Sequence, residues 1–313
     1  MYPCDLHAHT TRSDGNDTPE QIIESALARG LTALAITDHD ITPPETIGDT
    51  NPIAYAQARG LTLILGYEFS CDTNIDDIHI CGYNLDWTHP RILAEVQAAK
   101  MSKSEAYKEL CEILASKGMP VSWEDDVLTF RNAAGEICRR KPEEVQRKHI
   151  FEAMALRGYT PTWAEAKILV RDTPELNNKR KKIDPFDAIA LIHDLGGTAV
   201  LAHPYLIDET LCVPHRPARR QEFIMQLFDA GLDGIEASYT YNKTSYKGTQ
   251  TPEEIEREIR ALYAGRAQFF SGGSDYHADH KKGVSNARQL GERGLDCQEF
   301  QIMYNYILTR KNK

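Results

Sequence analysis

The feature that most restricts the possible folds of this chain is a regular alternation of short β-rich runs with helical patterns. Such an alternation is typical of βα units and of a largely parallel sheet. Seven β-rich runs suit a barrel better than a small sandwich, and they cover residues 3–6, 33–36, 62–66, 78–83, 198–202, 234–237 and 267–271.

Helices with readable ends lie between these runs. Thr18 is a predicted N-cap and Gly30 ends the helix that follows, whereas Thr251 begins the helical segment TPEEIEREIRALYAG. From residue 98 to residue 183 the β pattern disappears and polar helical sequence replaces it. We therefore expect an α/β barrel made of residues 1–97 and 184–313, with an inserted all-helical subdomain at 98–183 that serves as a lid or specificity module.

Charge and cysteine content restrict the class of partner and the compartment. Among 313 residues, 36 are basic and 46 are acidic, and the net charge of −10 disfavours general attraction to nucleic acid or to anionic membranes. The seven cysteines are scattered without a CxxC pair, which predicts reduced thiols. The sequence has no apolar run of about 18 residues and no pattern of a signal peptide, so we expect a cytoplasmic protein.

Potential metal ligands lie on or directly after the predicted strands. Because the carboxyl ends of barrel strands share one rim, these side chains are expected to converge. Imidazole and carboxylate groups bind Zn²⁺, Mn²⁺ or Fe²⁺ when thiolates are absent. A single histidine after a strand is more often an ordinary polar residue, but eight such side chains predict a metal centre: His7, His9, His39, Glu68, His79, His203, Asp275 and His277.

The order of these motifs identifies a family resemblance. HAH follows the first strand, TDHD the second, GYE the third, AHP the fifth and GSDYH the seventh. This series resembles the PHP (polymerase and histidinol phosphatase) family of metal-dependent phosphoesterases, over residues 1–97 and 184–290. RKHIFEAMALRGY in the insertion is similar to the stand-alone branch that acts on nucleoside 3′,5′-bisphosphates and ribose cyclic phosphates. The resemblance implies a distorted seven-stranded (β/α)7 barrel.

The same resemblance implies two to three divalent ions, with Mn²⁺ expected and Fe²⁺ or Zn²⁺ as alternatives. It places His7, His9, Glu68 and Asp275 on the first ion, with Glu68 bridging to a second ion. The second ion would also be bound by His79 and His203. The third would be bound by Asp14, His39 and His277.

The chemistry that the resemblance implies is hydrolysis of a phosphate monoester or cyclic diester, with release of inorganic phosphate. A hydroxide shared by two ions about 3.5–4 Å apart would attack phosphorus. Asp275 is predicted to accept a proton, and His203 or His277 to protonate the leaving oxygen.

Residues outside the ligand set are predicted to select the substrate. Arg147, Lys148 and His149 begin a helix of the insertion and are predicted to bind a second phosphate, although they also suit a solvated helix face. Lys243 and Lys281 lie on predicted rim loops and are candidate anion contacts. Tyr239 is a candidate for stacking on a base or sugar, with plain packing as the alternative.

Several other functions are compatible with parts of this pattern. They are a histidinol-phosphate-type phosphatase, a 3′-end or oligonucleotide exonuclease module, an amidohydrolase, and a non-catalytic scaffold that binds metal or phosphate. The acidic balance and the lack of an aromatic–basic ribbon disfavour stable binding of nucleic acid. A third ion is most useful against a multiply charged oxyanion, so we expect a small, multiply phosphorylated metabolite as the partner and no membrane.

Overall fold

The seven predicted strands form a single sheet in the computed structural model of the chain. The structure describes residues 1–72, 75, 78–132, 134–176, 178–213 and 216–310. The chain divides into two compact units, the first made of Met1–Val96 and Ile183–Lys313 and the second of Gln97–Lys182.

Seven of the strands match the predicted runs closely, and four short strands in two separate hairpins were not predicted. In the first unit they are β1 (Cys4–Asp5), β2 (Ala33–Ile36), β3 (Thr62–Cys71), β4 (Ile78–Tyr83), β7 (Thr198–Leu201), β8 (Thr210–Val213), β9 (Arg216–Arg219), β10 (Gly234–Ser238) and β11 (Phe269–Gly272). In the second unit they are β5 (Thr129–Arg131) and β6 (Ile137–Arg139). Strand β3 continues five residues beyond the predicted end at Gly66, so that Glu68 lies within the strand.

The large sheet curves into a nearly closed barrel with the order β1-β2-β3-β4-β7-β10-β11. Neighbouring strands are parallel except at β4, which is antiparallel to both β3 and β7. Hydrogen bonds join the two edges: the N–H of Leu6 donates to the carbonyl of Gly272 at 3.1 Å, and the N–H of His9 donates to that of Tyr276 at 2.8 Å. The predicted distorted seven-stranded barrel is thereby confirmed.

Helices connect the strands, and two of them begin at the predicted N-cap residues, Thr18 and Thr251. They are α1 (Pro19–Ala28), α2 (Pro52–Gln57), α3 (Pro90–Ser116), α4 (Arg147–Leu156), α5 (Trp163–Asp172), α6 (Pro185–Asp194), α7 (Arg220–Asp229), α8 (Pro252–Tyr263) and α9 (Cys297–Arg310). The Thr18 hydroxyl accepts from the N–H of Gln21 at 3.1 Å, and the Gln21 side chain accepts from the N–H of Thr18 at 3.0 Å. Thr251 and Glu254 form the same reciprocal capping box at α8.

The prediction that the insertion is all-helical is wrong in one respect. In the second unit β5 pairs with β6 as an antiparallel hairpin, in which Phe130 lies opposite Cys138. The turn between them is stabilised by the Asn132 side chain, which accepts from the N–H of Ala134 and of Glu136 at 3.0 Å. Gly135 supplies a positive φ of 83° in this turn. Three-residue strands are too short for an alternating pattern to be visible in the sequence.

Apolar side chains fill the barrel below the rim where the candidate ligands lie. Leu6, Ile64 and Val200 are buried inside the sheet and pack with Met303 and Ile307 of α9. In the described part of the chain, no helix combines the length and the apolar character that crossing a bilayer requires.

Candidate metal centre

The two histidines of the HAH motif lie side by side at the end of β1. Residues two apart on an extended segment point to the same side, and both rings enter the barrel mouth. His9 Nε2 lies 3.0 Å from Asp275 Oδ1 and 3.1 Å from Glu68 Oε2. His7 Nε2 lies 3.2 Å from the same Glu68 oxygen. These four residues therefore meet at one point, as the resemblance implied for the first ion.

Glu68 is at the middle of the cluster, and its side chain is 1% exposed. Oε2 faces His7, His9 and also His39, whose Nδ1 is 3.1 Å away. Oε1 faces the opposite group, at 2.9 Å from His79 Nδ1 and 3.1 Å from His203 Nε2. Two oxygens that face different sets of imidazoles give Glu68 the geometry of a bridging carboxylate.

A further group forms on the outer side of His9. His277 Nε2 lies 3.2 Å from Asp14 Oδ1, and the ring of His277 stacks on that of His9 with centroids 4.2 Å apart. Ligand atoms of His9, Asp14, His39 and His277 all lie within 4.8 Å of one another. The structure thus brings all nine sequence-predicted ligand residues together, and it adds a thiol, Cys81, next to His7 and Glu68.

The hydrogen bonding of these atoms tests whether the cluster fits metal ions. Within the described residues, four buried atoms have no hydrogen-bond partner although they approach one another closely: His7 Nε2, His9 Nε2, His39 Nδ1 and Glu68 Oε2. Buried polar atoms are otherwise almost always paired. Lone pairs of imidazole and carboxylate that converge without hydrogen bonds suit a divalent cation. The donor set therefore fits the ions that the resemblance implies.

Burial and mutual charge shift the pKa values in the cluster. Burial of the His9 ring acts to lower its pKa, but the Asp275 and Glu68 carboxylates raise it to about 10. Burial also acts to lower the pKa of His7, but Glu68 together with its other acidic neighbours, including Glu236 and Asp275, raises it. Burial lowers the pKa of His39 to about 4. Glu68 is buried, yet His39 and His7 hold its pKa well below the usual range.

A buried carboxylate that sequence reasoning missed supports His7 from behind. Glu236 of β10 is 2% exposed. Its Oε1 lies 3.2 Å from His7 Nδ1, and its Oε2 accepts from the N–H of His203 at 2.7 Å. A carboxylate at Nδ1 fixes the tautomer that leaves Nε2 free as a ligand. The sequence feature that could have indicated Glu236 is that it is the one charged residue in the strand GIEAS.

The sequence analysis also did not identify Asp38 and Arg288 as residues of the site. Asp38 Oδ1 accepts from the N–H of Thr10 at 2.7 Å and from the Ser13 hydroxyl at 2.6 Å, so it shapes the loop that follows His9. The Arg288 guanidinium contacts Asp275 Oδ2 and lies 3.2 Å from His277 Nδ1. Arg288 lies in an irregular segment, where no periodic pattern could have indicated it.

The substrate residues predicted on the barrel occupy different surroundings. Tyr239 is buried and its hydroxyl donates to Asp275 Oδ2 at 2.7 Å. Lys243 Nζ lies 2.6 Å from Glu292 Oε1. Lys281 Nζ lies 2.5 Å from Asp17 Oδ1. Their roles in substrate binding stay predictions.

Arg147, Lys148 and His149 begin helix α4 in the second unit. The guanidinium of Arg147 reaches the carbonyl of Asn178 at 3.4 Å, and Lys148 Nζ lies 3.3 Å from Glu152 Oε1. His149 Nδ1 accepts from the N–H of Gln146 at 3.0 Å, which caps the helix. Recognition of a second phosphate by these residues stays a prediction.

A cavity of about 250 Å³ opens onto the cluster. Its lining combines candidate ligands with two cationic side chains and three hydroxyl side chains. The lining residues are His39, Glu68, His79, His203, Leu206, Tyr239, Lys243, Thr244, Ser245, Asp275, His277 and Arg288.

Three characterised relatives are similar to much of this chain. It is 27% identical over 291 residues to the 3′,5′-nucleoside bisphosphate phosphatase of Chromobacterium violaceum, and the match covers 90% of each chain. It is 27% identical over 284 residues to the phosphoribosyl 1,2-cyclic phosphate 1,2-diphosphodiesterase of Eggerthella lenta, covering 87% of this chain and 93% of that one. It is 32% identical over 209 residues to a 5′-3′ exoribonuclease of Haemophilus influenzae, covering 66% of this chain and 70% of that one.

A solved structure has the same architecture. The chain matches a protein of Bifidobacterium adolescentis, described as a metal-dependent phosphoesterase, with a TM-score of 0.65 and 26% identity. The match covers 99% of this chain and 96% of the other. The barrel, the buried ligand cluster and these relatives together define the protein as a metal-dependent phosphoester hydrolase.

The family follows from the same comparisons. The PHP domain model matches residues 5–155, and the chain belongs to the PHP family. The resemblance recognised from the strand-end motifs is therefore confirmed, as is the enzyme class.

Proposed function

We propose that this enzyme hydrolyses a phosphate ester of a small sugar or nucleotide that carries more than one phosphate. The observation that carries the proposal is the cavity, in which the cations Arg288 and Lys243 stand beside a buried cluster of metal-type ligands. Cations and metal ligands in one small cavity suit a multiply charged phosphate ester.

The ligand sets are part of the proposal. His7, His9, Glu68 and Asp275 would bind one ion, Glu68 with His79 and His203 a second, and Asp14, His39 and His277 a third. Divalent ions such as Mn²⁺, Fe²⁺ or Zn²⁺ would there neutralise phosphoryl oxygens and lower the pKa of a bound water. The distances of about 3 Å support a bridging role of Glu68, since Oε2 faces His7, His9 and His39 whereas Oε1 faces His79 and His203.

The protein's own groups would position the substrate and transfer protons. Burial acts to raise the pKa of Asp275, but Arg288 together with His277 and His7 holds it well below its usual range, so this carboxylate is ionised. With Oδ2 engaged by Tyr239 and Arg288, Oδ1 is the oxygen left to bind an ion or accept a proton. Donation of a proton by His203 or His277 to the leaving oxygen, as predicted, requires that the donating nitrogen is not bound to an ion, because a coordinated nitrogen carries no proton.

The size of the cavity favours a compact substrate. A volume of about 250 Å³ lies below the roughly 300–1,000 Å³ of pockets that enclose drug-sized ligands. A ribose cyclic phosphate with a 5-phosphate suits this volume better than a nucleoside 3′,5′-bisphosphate, which carries a base in addition. The relatives that match most of the chain act, by their names, on these two substrate classes.

The test is a phosphate-release panel with the Mn²⁺-loaded protein. The substrates are a ribose cyclic phosphate with a 5-phosphate, a nucleoside 3′,5′-bisphosphate, histidinol phosphate and a 5′-phosphorylated oligoribonucleotide. We expect the first two to give the highest kcat/KM. A His9→Ala preparation controls for contaminating phosphatases, because it lacks a ligand of the proposed first ion, and its turnover should vanish.

Exoribonuclease activity is the second candidate, and a specific observation favours it. The relative from Haemophilus influenzae carries that name at 32% identity, although the match leaves about a third of this chain uncovered. Clear preference for the oligoribonucleotide in the panel would replace our proposal with this one. We further propose a cytoplasmic enzyme, which the free thiols of the described cysteines support.

A further inference from the structure

Arg288 occupies a position in the cavity that its structural contacts do not fully explain. Its side chain is 16% exposed and lines the cavity next to Asp275 and His277. One guanidinium nitrogen contacts Asp275 Oδ2, and the other terminal nitrogen lies 3.2 Å from His277 Nδ1 and 3.9 Å from Asp279 Oδ2.

The contact of Arg288 with His277 competes with another hydrogen bond. His277 Nδ1 also lies 2.8 Å from the carbonyl oxygen of Asp275. A carbonyl oxygen only accepts, so Nδ1 must carry the proton to bond it, and a protonated Nδ1 cannot accept from a guanidinium. Since the carbonyl bond is the shorter one and leaves His277 Nε2 free as a ligand, we take it as the one formed.

The guanidinium then has more donors than acceptors. It carries five N–H groups. Within the described residues, its remaining carboxylate contacts are Asp275 at close range and Asp279 at the edge of ion-pair distance. N–H groups are thus left to face a cavity that also exposes the candidate metal ligands.

The contact with Asp275 by itself is a weak explanation for a partly buried cation at this place. The Tyr239 hydroxyl already donates to Asp275 Oδ2 at 2.7 Å. A planar guanidinium can keep one nitrogen on a carboxylate while another binds an oxyanion, which a lysine ammonium cannot do with the same geometry.

We propose that Arg288 is a substrate-binding residue that donates to a non-bridging oxygen of the phosphoryl group at the metal centre while it retains Asp275. This inference deepens the proposed function and rests on it for the identity of the substrate. The ligand chemistry it requires is a tetrahedral phosphate oxyanion.

The test uses inorganic phosphate as the probe, so that it does not depend on turnover. Metal content and phosphate affinity are measured on the Mn²⁺-loaded wild type and on Arg288→Gln, by elemental analysis and by calorimetry. We expect the variant to bind phosphate about 10- to 100-fold more weakly, the loss typical of a charge-assisted hydrogen bond, with unchanged metal content. For any ester that turns over, KM should rise.

Two further variants complete the design. Arg260→Gln removes an arginine that pairs with Glu256 and Glu299 on helices α8 and α9, and it should behave as wild type. Arg288→Lys keeps the charge but not the planar fork, and its phosphate affinity should fall between the other two. If Arg288→Gln does not fold, wild-type phosphate affinity in Arg288→Lys contradicts the proposal.

The outcomes separate this inference from the proposed function. Wild-type phosphate affinity in Arg288→Gln, or a loss explained wholly by lost metal, would show that Arg288 only holds Asp275. If the wild type hydrolyses no ester of the panel but binds phosphate through Arg288, the proposed function fails and the inference stands.

Discussion

At the scale of single residues, the site depends on carboxylates and imidazoles that are buried together. Glu68 is 1% exposed and faces five of the histidines. Burying these groups is costly unless something compensates their charge and their lone pairs. The unpaired nitrogens of His7, His9 and His39 show that the protein's own hydrogen bonds do not complete this compensation. Divalent cations would balance the buried carboxylate charge and bind the imidazole nitrogens.

Glu236→Gln should weaken metal binding without removing a ligand. The carboxylate that contacts His7 Nδ1 at 3.2 Å would be replaced by an amide, which orients the ring less well and makes it less basic. We expect metal affinity to fall about 10- to 100-fold, as for other residues that support ligands, and activity to recover at high Mn²⁺. Titration of activity with Mn²⁺ measures the shift, and Glu256→Gln on α8 is the control. An unchanged titration curve would argue against a supporting role.

Metal binding should release protons at neutral pH. In the absence of ions, Glu68 and neighbouring carboxylates raise the pKa of His7, and that of His9 lies at about 10, so both rings are protonated at pH 7. An ion must displace these protons, so its affinity should rise as the pH increases towards 10 and fall in acid. Calorimetry of Mn²⁺ binding in buffers of different ionisation enthalpy measures the release. Binding with no proton release at pH 7 would contradict the protonated state.

At the scale of elements, the two ends of the barrel have separate tasks. The carboxyl ends of the parallel strands and the amino end of the antiparallel β4, where His79 lies, carry the candidate ligands, whereas the loop before β10 carries a structural carboxylate, Asp233. This residue is 2% exposed and accepts from the N–H of Ala199 at 2.8 Å. It also accepts from Tyr306 at 2.7 Å and pairs with Arg310 at 2.9 Å, which attaches helix α9 to the barrel.

Asp233→Asn should therefore reduce stability and leave the metal centre intact. Removing one partner of a buried charge pair typically costs about 3–5 kcal/mol, and the amide retains part of the hydrogen bonding, so we expect a loss of about 2–3 kcal/mol in the free energy of unfolding. Urea unfolding measures it, and metal content should match wild type. Asp229→Asn, which alters an exposed pair with Arg266, is the control and should change stability little. Equal losses of unfolding free energy in the two variants would contradict the structural role of Asp233.

The elements also show where sequence patterns succeed and fail. The ends of α1 and α8 were predictable because Thr18 and Thr251 cap them through contacts three residues away. The β5–β6 hairpin was missed because three-residue strands carry no periodic signal. Strand β3 extends to Cys71 because β4 pairs with it over six residues, a long-range contact that local sequence does not encode.

At the scale of the whole molecule, the described candidate ligand groups all lie in the first unit. Ions that bind only the folded state stabilise it by about 2.7 kcal/mol at a free concentration one hundred times the Kd. Chelation should thus destabilise this unit selectively.

Hydrogen exchange with and without EDTA resolves the two units. We expect peptides from β3 and β4 to lose protection on chelation and to regain it when Mn²⁺ exceeds the chelator, while peptides from α4 and α5 serve as the internal control. Equal loss of protection in both sets of peptides would mean that the ions do not act mainly on the barrel.

The sequence by itself determined the strands of the barrel and the candidate ligand residues, because periodicity, caps and strand-end positions are local properties. His7 and His9 had to share a face, and each parallel strand had to present its polar residue at the same rim, whereas the antiparallel direction of β4 was decided by the tertiary structure. Only the tertiary structure decided which ligand atoms meet on which side of Glu68, and that Glu236 and Arg288 join the site. His7 and Glu236, for example, are 229 positions apart, so such contacts exist only once the barrel has formed.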